Sequence, residues 1–136
     1  MHQLLEICPC RIDLPPGFDG FFEQTGHRRA EFSDRRQFRR VLLREQALLQ
    51  IQKQLSVIYT SDLSRGGICF LHSEQLFPGD RIRIWRSSGA DLHLVVARCL
   101  RHGPRCYECG AEAACENSRA TCAQLVRELI TEKAAT

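Results

Sequence analysis

Two short clusters in the 136-residue chain hold the residue types best suited to binding chemistry. The first is Asp34-Arg35-Arg36-Gln37-Phe38-Arg39-Arg40, and the second is Asp62-Leu63-Ser64-Arg65-Gly66-Gly67. Of the 19 basic residues only Lys53 and Lys133 are lysine, and seven arginines fall between Arg28 and Arg44. That choice matters, because a guanidinium offers forked hydrogen bonds, a fixed charge and a flat face for stacking, whereas an ammonium is a compact point charge. An arginine run by itself is most often a solvated face. An Asp-x-Ser-x-x-Gly turn by itself is often only a β-turn closed by side-chain-to-backbone hydrogen bonds. The same turn can also aim its carboxylate and hydroxyl into the loop, with glycine letting a ligand come close to the backbone.

The elements that must position these clusters read as strands. Val41, Leu43, Ala47, Leu49 and Ile51 fall on alternate positions with only Glu45 breaking the series, which predicts a strand over 41–51 despite the helix-favouring composition of the stretch. Leu55, Val57 and Tyr59 keep the same period, so Gln52 to Gln54 is expected to turn a hairpin. Ile68 to Leu71, Arg81 to Trp85, Leu92 to Leu100 and Arg105 to Ala113 bring the total to about six strands. They are separated by Phe77-Pro78-Gly79-Asp80, Ser87-Ser88-Gly89-Ala90 and His102-Gly103-Pro104, all rich in turn formers. The prediction is a mainly β fold, a six-stranded antiparallel barrel closed so that no sheet edge is exposed. Cys122, Leu125, Val126, Leu129 and Ile130 then follow helical spacing, with Ser118 as N-cap and Lys133 near the far end of the dipole. This predicts one C-terminal amphipathic α-helix over about 118–133. Residues 1–33, with Pro9, Pro15, Pro16, Gly17, Gly20 and Gly26, read as an irregular or partly mobile leader to a domain over 34–136.

A composition of 43% hydrophobic and 26% charged residues fits one globular domain and excludes a large multidomain enzyme. A net charge of +3 is too small to make the whole surface a polyanion binder, so any anion preference is local. No apolar run approaches the roughly 20 residues needed to span a bilayer, and Met1 to Cys10 lacks the features of a signal peptide. The expected compartment is therefore the cytoplasm, where the eight cysteines are mostly free thiols. Cys106 and Cys109 have C-x-x-C spacing, and Cys8 and Cys10 could complete four thiolates around zinc. A regular strand, however, puts positions three apart on opposite faces, so no metal is expected. Cys69, Cys99 and Cys122 occupy apolar positions and are expected in the core. The five histidines form no ligand pattern, no nucleophile, base and orienter assemble from motif evidence, and neither an enzyme nor a cofactor is indicated.

Arg-x-x-x-Arg followed about two strands later by Asp-x-Ser-x-x-Gly resembles the PilZ domain family, over roughly Asp34 to Ala113. Phe77-Pro78-Gly79-Asp80 is similar to the family's Pro-Gly-Asp turn, and Gly110-Ala111-Glu112 to its Gly-x-Glu ending. The resemblance implies a six-stranded barrel with a C-terminal helix that binds the bacterial second messenger cyclic di-GMP. The implied ligand-binding residues are Arg36 and Arg40 from the first motif, then Asp62, Ser64 and Gly67 from the second. Arg39 doubles the second arginine, so Arg35 and Arg39 form an alternative register; Arg40 directly precedes the apolar strand, which favours Arg36 and Arg40. Ala113 stands where the family usually has a large aromatic. Arg35 either points to solvent opposite Asp34 or adds a guanidinium for a second ligand copy.

The chemistry agrees with that implication. A cyclic dinucleotide presents two phosphates, guanine edges and π-faces, all of which arginine serves, while a carboxylate such as Asp62 accepts from guanine N1–H and the 2-amino group. Arginines on a segment ahead of the first strand can be ordered by ligand, which turns a charge match into a change of shape for a downstream protein partner. Two other readings stay open: a PilZ-like protein adaptor without nucleotide, and a small barrel binding nucleic acid through Arg28 to Arg44. Asp62 argues against the last, since a polyanion groove has no use for a carboxylate at its centre, and Trp85 and Tyr107 are its only obvious stacking candidates.

Overall fold

A computed structural model of the chain describes residues 8, 10–18, 20–23, 26–27, 40–87, 89 and 91–135, with backbone alone at 26–27 and 131–135. Among them are a 3-10 turn, Phe21–Glu23, and eight strands: β1 (Gly26–His27), β2 (Val41–Leu42), β3 (Gln46–Ile51), β4 (Gln54–Leu63), β5 (Gly67–His72), β6 (Arg81–Arg86), β7 (Asp91–Gly103) and β8 (Cys106–Ala113). A helix, α1 (Glu116–Ala135), follows. Every strand pairing is antiparallel, in the order β1-β2-β4-β3-β6-β7-β8-β5, and β4 pairs again with β5. Six strands, β3 to β8, thus form the closed barrel expected of the sequence, and β1–β2 extend it along the end of β4.

The expected strand over 41–51 is interrupted at 43–45. Thr60, fully buried on β4, donates its hydroxyl to Leu43 O at 2.5 Å and accepts from Glu45 N–H at 3.0 Å. A side chain thus takes the hydrogen bonds a ladder would have used, and the strand splits into β2 and β3. The alternating residues still face inward: Val41, Leu43, Ala47 and Leu49 are in the core, and Ile51 packs against it.

For β4 the inferred face is corrected. The two-residue turn pairs Ile51 with Gln54, and Ala47 therefore meets Ile58 while Leu48 meets Val57. Ile58, not Leu55, Val57 or Tyr59, enters the barrel core. Tyr59 instead packs on an outer cluster of Ile12, Phe21, Leu71 and Cys106, and Leu55 is exposed. The outer face is apolar because the described part of the leader covers it. Phe21 is 2% exposed, Asp13 N–H donates to Arg105 O at 3.1 Å, and the Asp13 carboxylate accepts from the Arg105 guanidinium. Arg44 lies over the Phe21 ring, 4.3 Å from its centroid.

Helix α1 buries Cys122, Leu125 and Val126 in the same cluster as the barrel interior, with Leu129 and Ile130 packed against it. The predicted face is correct and the predicted cap is not. The first helical bond runs from Arg119 N–H to Cys115 O at 3.0 Å, which puts Cys115 at the N-cap and Ser118 inside the first turn. Ser118, 2% exposed, accepts the His93 N–H at 2.9 Å and ties the helix to β7.

Candidate functional site

The Asp-x-Ser-x-x-Gly segment lies where β4 hands over to β5. Ser64 N–H donates to Gly67 O at 2.9 Å, so the turn is closed by backbone, and the Ser64 hydroxyl reaches the same carbonyl only at 3.5 Å. Gly67 is required by packing: a Cβ there would stand 2.0 Å from Ala111 O on β8. Its glycine is explained by the closeness of two strands before any ligand is invoked.

Strand register carries the rest of the site. Asp62 pairs with Cys69 across β4–β5, Cys69 with Gly110 across β5–β8, and Gly110 with Arg98 across β8–β7. A row of four residues thus crosses four neighbouring strands on the outside of the barrel. A bulge at Ser61 and another at Ala97 adjust the ladder beside both ends of the row. Such bulges re-aim side chains. Arg40, just ahead of β2, reaches over the row because Leu42 pairs with Asp62. Its Nη1 donates to Asp62 Oδ1 at 2.8 Å and to Cys69 Sγ at 2.9 Å. From the other end Arg98 Nη2 approaches Cys69 Sγ at 3.6 Å. Gly110 makes room for that side chain, since a Cβ would stand 2.8 Å from Arg98 Nε.

The row forms the floor of a cleft of about 540 Å³, lined also by Ser64, Gly67, Glu112 and, from helix α1, Arg119. Three arginines, Arg40, Arg98 and Arg119, and two acidic residues, Asp62 and Glu112, are thus among the residues that line it. Burial alone would lower the Arg40 pKa, but Cys69 and Asp62 outweigh it and raise it. Burial raises the Cys69 thiol and so does the Asp62 charge, against the opposing pull of Arg40 and Arg98. Cys69 is accordingly a neutral thiol at pH 7.

Arg40, Asp62, Ser64 and Gly67, four of the residues singled out from the sequence, therefore line one cleft. Arg35, Arg36 and Arg39 lie outside the described residues. Missed by sequence reasoning were Arg98, Cys69 and Arg119. Arg98 had a signal, an arginine inside the apolar run Leu92 to Leu100. Arg119 had none, because only the docking of the helix brings it to the cleft.

The C-x-x-C cysteines face opposite ways: Cys106 belongs to the leader-covered cluster and Cys109 to the barrel core. His72 is 4% exposed and links β5 to β4 through Ser56. Its Nδ1 faces both the N–H and the carbonyl oxygen of Glu74, at 2.9 and 3.0 Å, and its Nε2 shares a hydrogen bond of 3.1 Å with Ser56 Oγ. Burial lowers its pKa, against the opposing effect of Glu74, and the ring stays neutral. Trp85 is stacked under Arg83, 4.3 Å from the ring centroid.

The chain folds as a closed six-stranded barrel with one C-terminal helix and an arginine-lined cleft across four strands. Residues 34–130 match the PilZ domain family, and the chain belongs to it. A comparison with curated proteins finds no match. Among solved structures the chain is similar to the Bacillus subtilis inhibitor of motility MotI/DgrA, with 16% identity and a TM-score of 0.52. That alignment covers 70% of this chain and 51% of the other, so the chain spans about half the length of MotI/DgrA. At that identity the likeness concerns the fold alone. Among the described residues no helix is long and apolar enough to cross a membrane.

Proposed function

We propose that this domain is a receptor for cyclic di-GMP, without catalytic activity, and that the cleft over the Asp62–Arg98 row is its binding site. The observation that carries this reading is the meeting of the two sequence motifs: Arg40 from the first is hydrogen-bonded at 2.8 Å to Asp62 from the second. A guanidinium held by a carboxylate is aimed before ligand arrives, and the ordering cost of binding falls accordingly. The cleft chemistry fits the ligand's parts. Arg40, Arg98 and Arg119 suit phosphates and base faces, and Asp62 and Glu112 suit the N–H edge of guanine.

Arg35 and Arg36 complete the proposed site. Ligand contact there would alter the surface offered to a downstream protein partner, the proposed signal. The carboxylates in the cleft disfavour nucleic acid, and Trp85, covered by Arg83, is no open stacking platform. Calorimetric titration of the full chain tests the reading: cyclic di-GMP should bind at least about a hundredfold more tightly than GTP or single-stranded RNA, a gap of roughly 2.7 kcal/mol. Equal affinity for RNA would replace this reading with the nucleic-acid one.

A further inference from the structure

Cys99 and Cys109 are a registered pair across the β7–β8 ladder, with sulfurs 3.5 Å apart and both thiols free. Cys109 is fully buried in the core cluster, whereas Cys99 is partly exposed and packs on the margin of that cluster. The other cysteines of neighbouring strands do not compete for Cys109. Cys69 lies on the outer face under Arg40 and Arg98, and Cys106 lies in the leader-covered cluster. Two thiols in contact, one reachable from solvent and one sealed behind it, have the arrangement of an attacking and a resolving pair.

We propose that Cys99 and Cys109 are a peroxide-responsive dithiol that closes to a reversible intramolecular disulfide. Cys99 gives up its proton and its sulfur attacks one oxygen of hydrogen peroxide; the O–O bond breaks, and the released hydroxide takes up a proton to leave as water. The sulfenic acid formed on Cys99 is then attacked by the Cys109 sulfur. The S–O bond breaks, and the departing hydroxide takes the Cys109 proton, giving a second water. Two thiols are oxidised by two electrons in all, and one peroxide is reduced to two waters. Cys99 is the partly exposed member and Cys109 is sealed in the core, so Cys99 is the sulfur that peroxide reaches and that attacks; burial also raises the Cys109 thiol. The sulfurs must close from 3.5 Å by about 1.5 Å to the length of a disulfide, a movement within reach of two directly facing side chains. Arg98 precedes Cys99 and Gly110 follows Cys109, so the crosslink would clamp the rung that floors the cleft. The proposal stands independently of the ligand reading.

The full native chain is treated with a few equivalents of hydrogen peroxide, remaining thiols are alkylated, and the cysteines are mapped by peptide fragmentation. The expected product is a Cys99–Cys109 crosslink, about 2 Da lighter than the dithiol, opened again by dithiothreitol. In C99A the crosslink should be missing and Cys109 recovered as an alkylated thiol. Recovery of both residues as alkylated thiols from wild-type protein in which exposed Cys10 and Cys115 are already oxidised would overturn the proposal. So would a crosslink to Cys109 that persists in C99A.

Discussion

Replacing Arg40 by alanine is expected to weaken cyclic di-GMP binding roughly ten- to a hundredfold, the loss of one charge-assisted fork worth about 1.5 to 3 kcal/mol. Arg40 is the described residue of the arginine motif, and its guanidinium is set over the cleft floor by Asp62 at 2.8 Å and Cys69 at 2.9 Å. Its side chain is 18% exposed and therefore within reach of ligand, whereas the Asp62 side chain beneath it is 7% exposed. The barrel interior is built from other residues, so the variant should fold, with an unchanged circular dichroism spectrum. Arg40→Lys keeps the charge without the planar fork and should recover only part of the lost affinity. Calorimetric comparison of the three proteins decides the matter. A loss below roughly threefold in Arg40→Ala would shift the motif to the Arg35 and Arg39 register.

The second large effect concerns stability. Gly67→Ala is expected to cost about 3 kcal/mol and about 10 °C of melting temperature, at the upper end of overpacking penalties. The new Cβ would stand 2.0 Å from the Ala111 carbonyl oxygen. That oxygen belongs to backbone paired with β5, so no side-chain rotation relieves the clash and the β5–β8 ladder must open locally. Gly110→Ala makes a contrasting control, because the atoms it meets belong to the Arg98 side chain and not to backbone. Its cost should fall on binding more than on stability. Urea unfolding of both variants separates the two glycines, and a loss below 1 kcal/mol in Gly67→Ala would show that the strands can part there without strain.

Period-two alternation located the barrel well where one face is covered by the core and the other is polar. Ile82 and Ile84 on β6 are buried in the core between arginines, and the reading from the sequence matched them. It failed for β4, whose outer face is also apolar. Nothing local tells Ile58 from Val57 or Tyr59 when a distant segment containing Phe21 covers the outside. The break at 43–45 was hidden for a similar reason, since it is caused by a threonine on another strand. Within the site, Asp62, Ser64 and Arg40 were legible because each motif is continuous in the chain. Arg98 and Cys69 were not, because they join the site only through the register of β5, β8 and β7.

The central claim is that the cleft over the Asp62–Cys69–Gly110–Arg98 row binds cyclic di-GMP. Its most direct test is nuclear magnetic resonance of the isotopically labelled full chain during titration with the nucleotide. The account predicts saturable shifts of the backbone amides of Arg40, Asp62, Ser64, Gly67, Arg98 and Gly110, with the outer face around Ile12, Phe21 and Leu71 unchanged. An unperturbed spectrum at saturating nucleotide, or shifts confined to that leader-covered face, would contradict it.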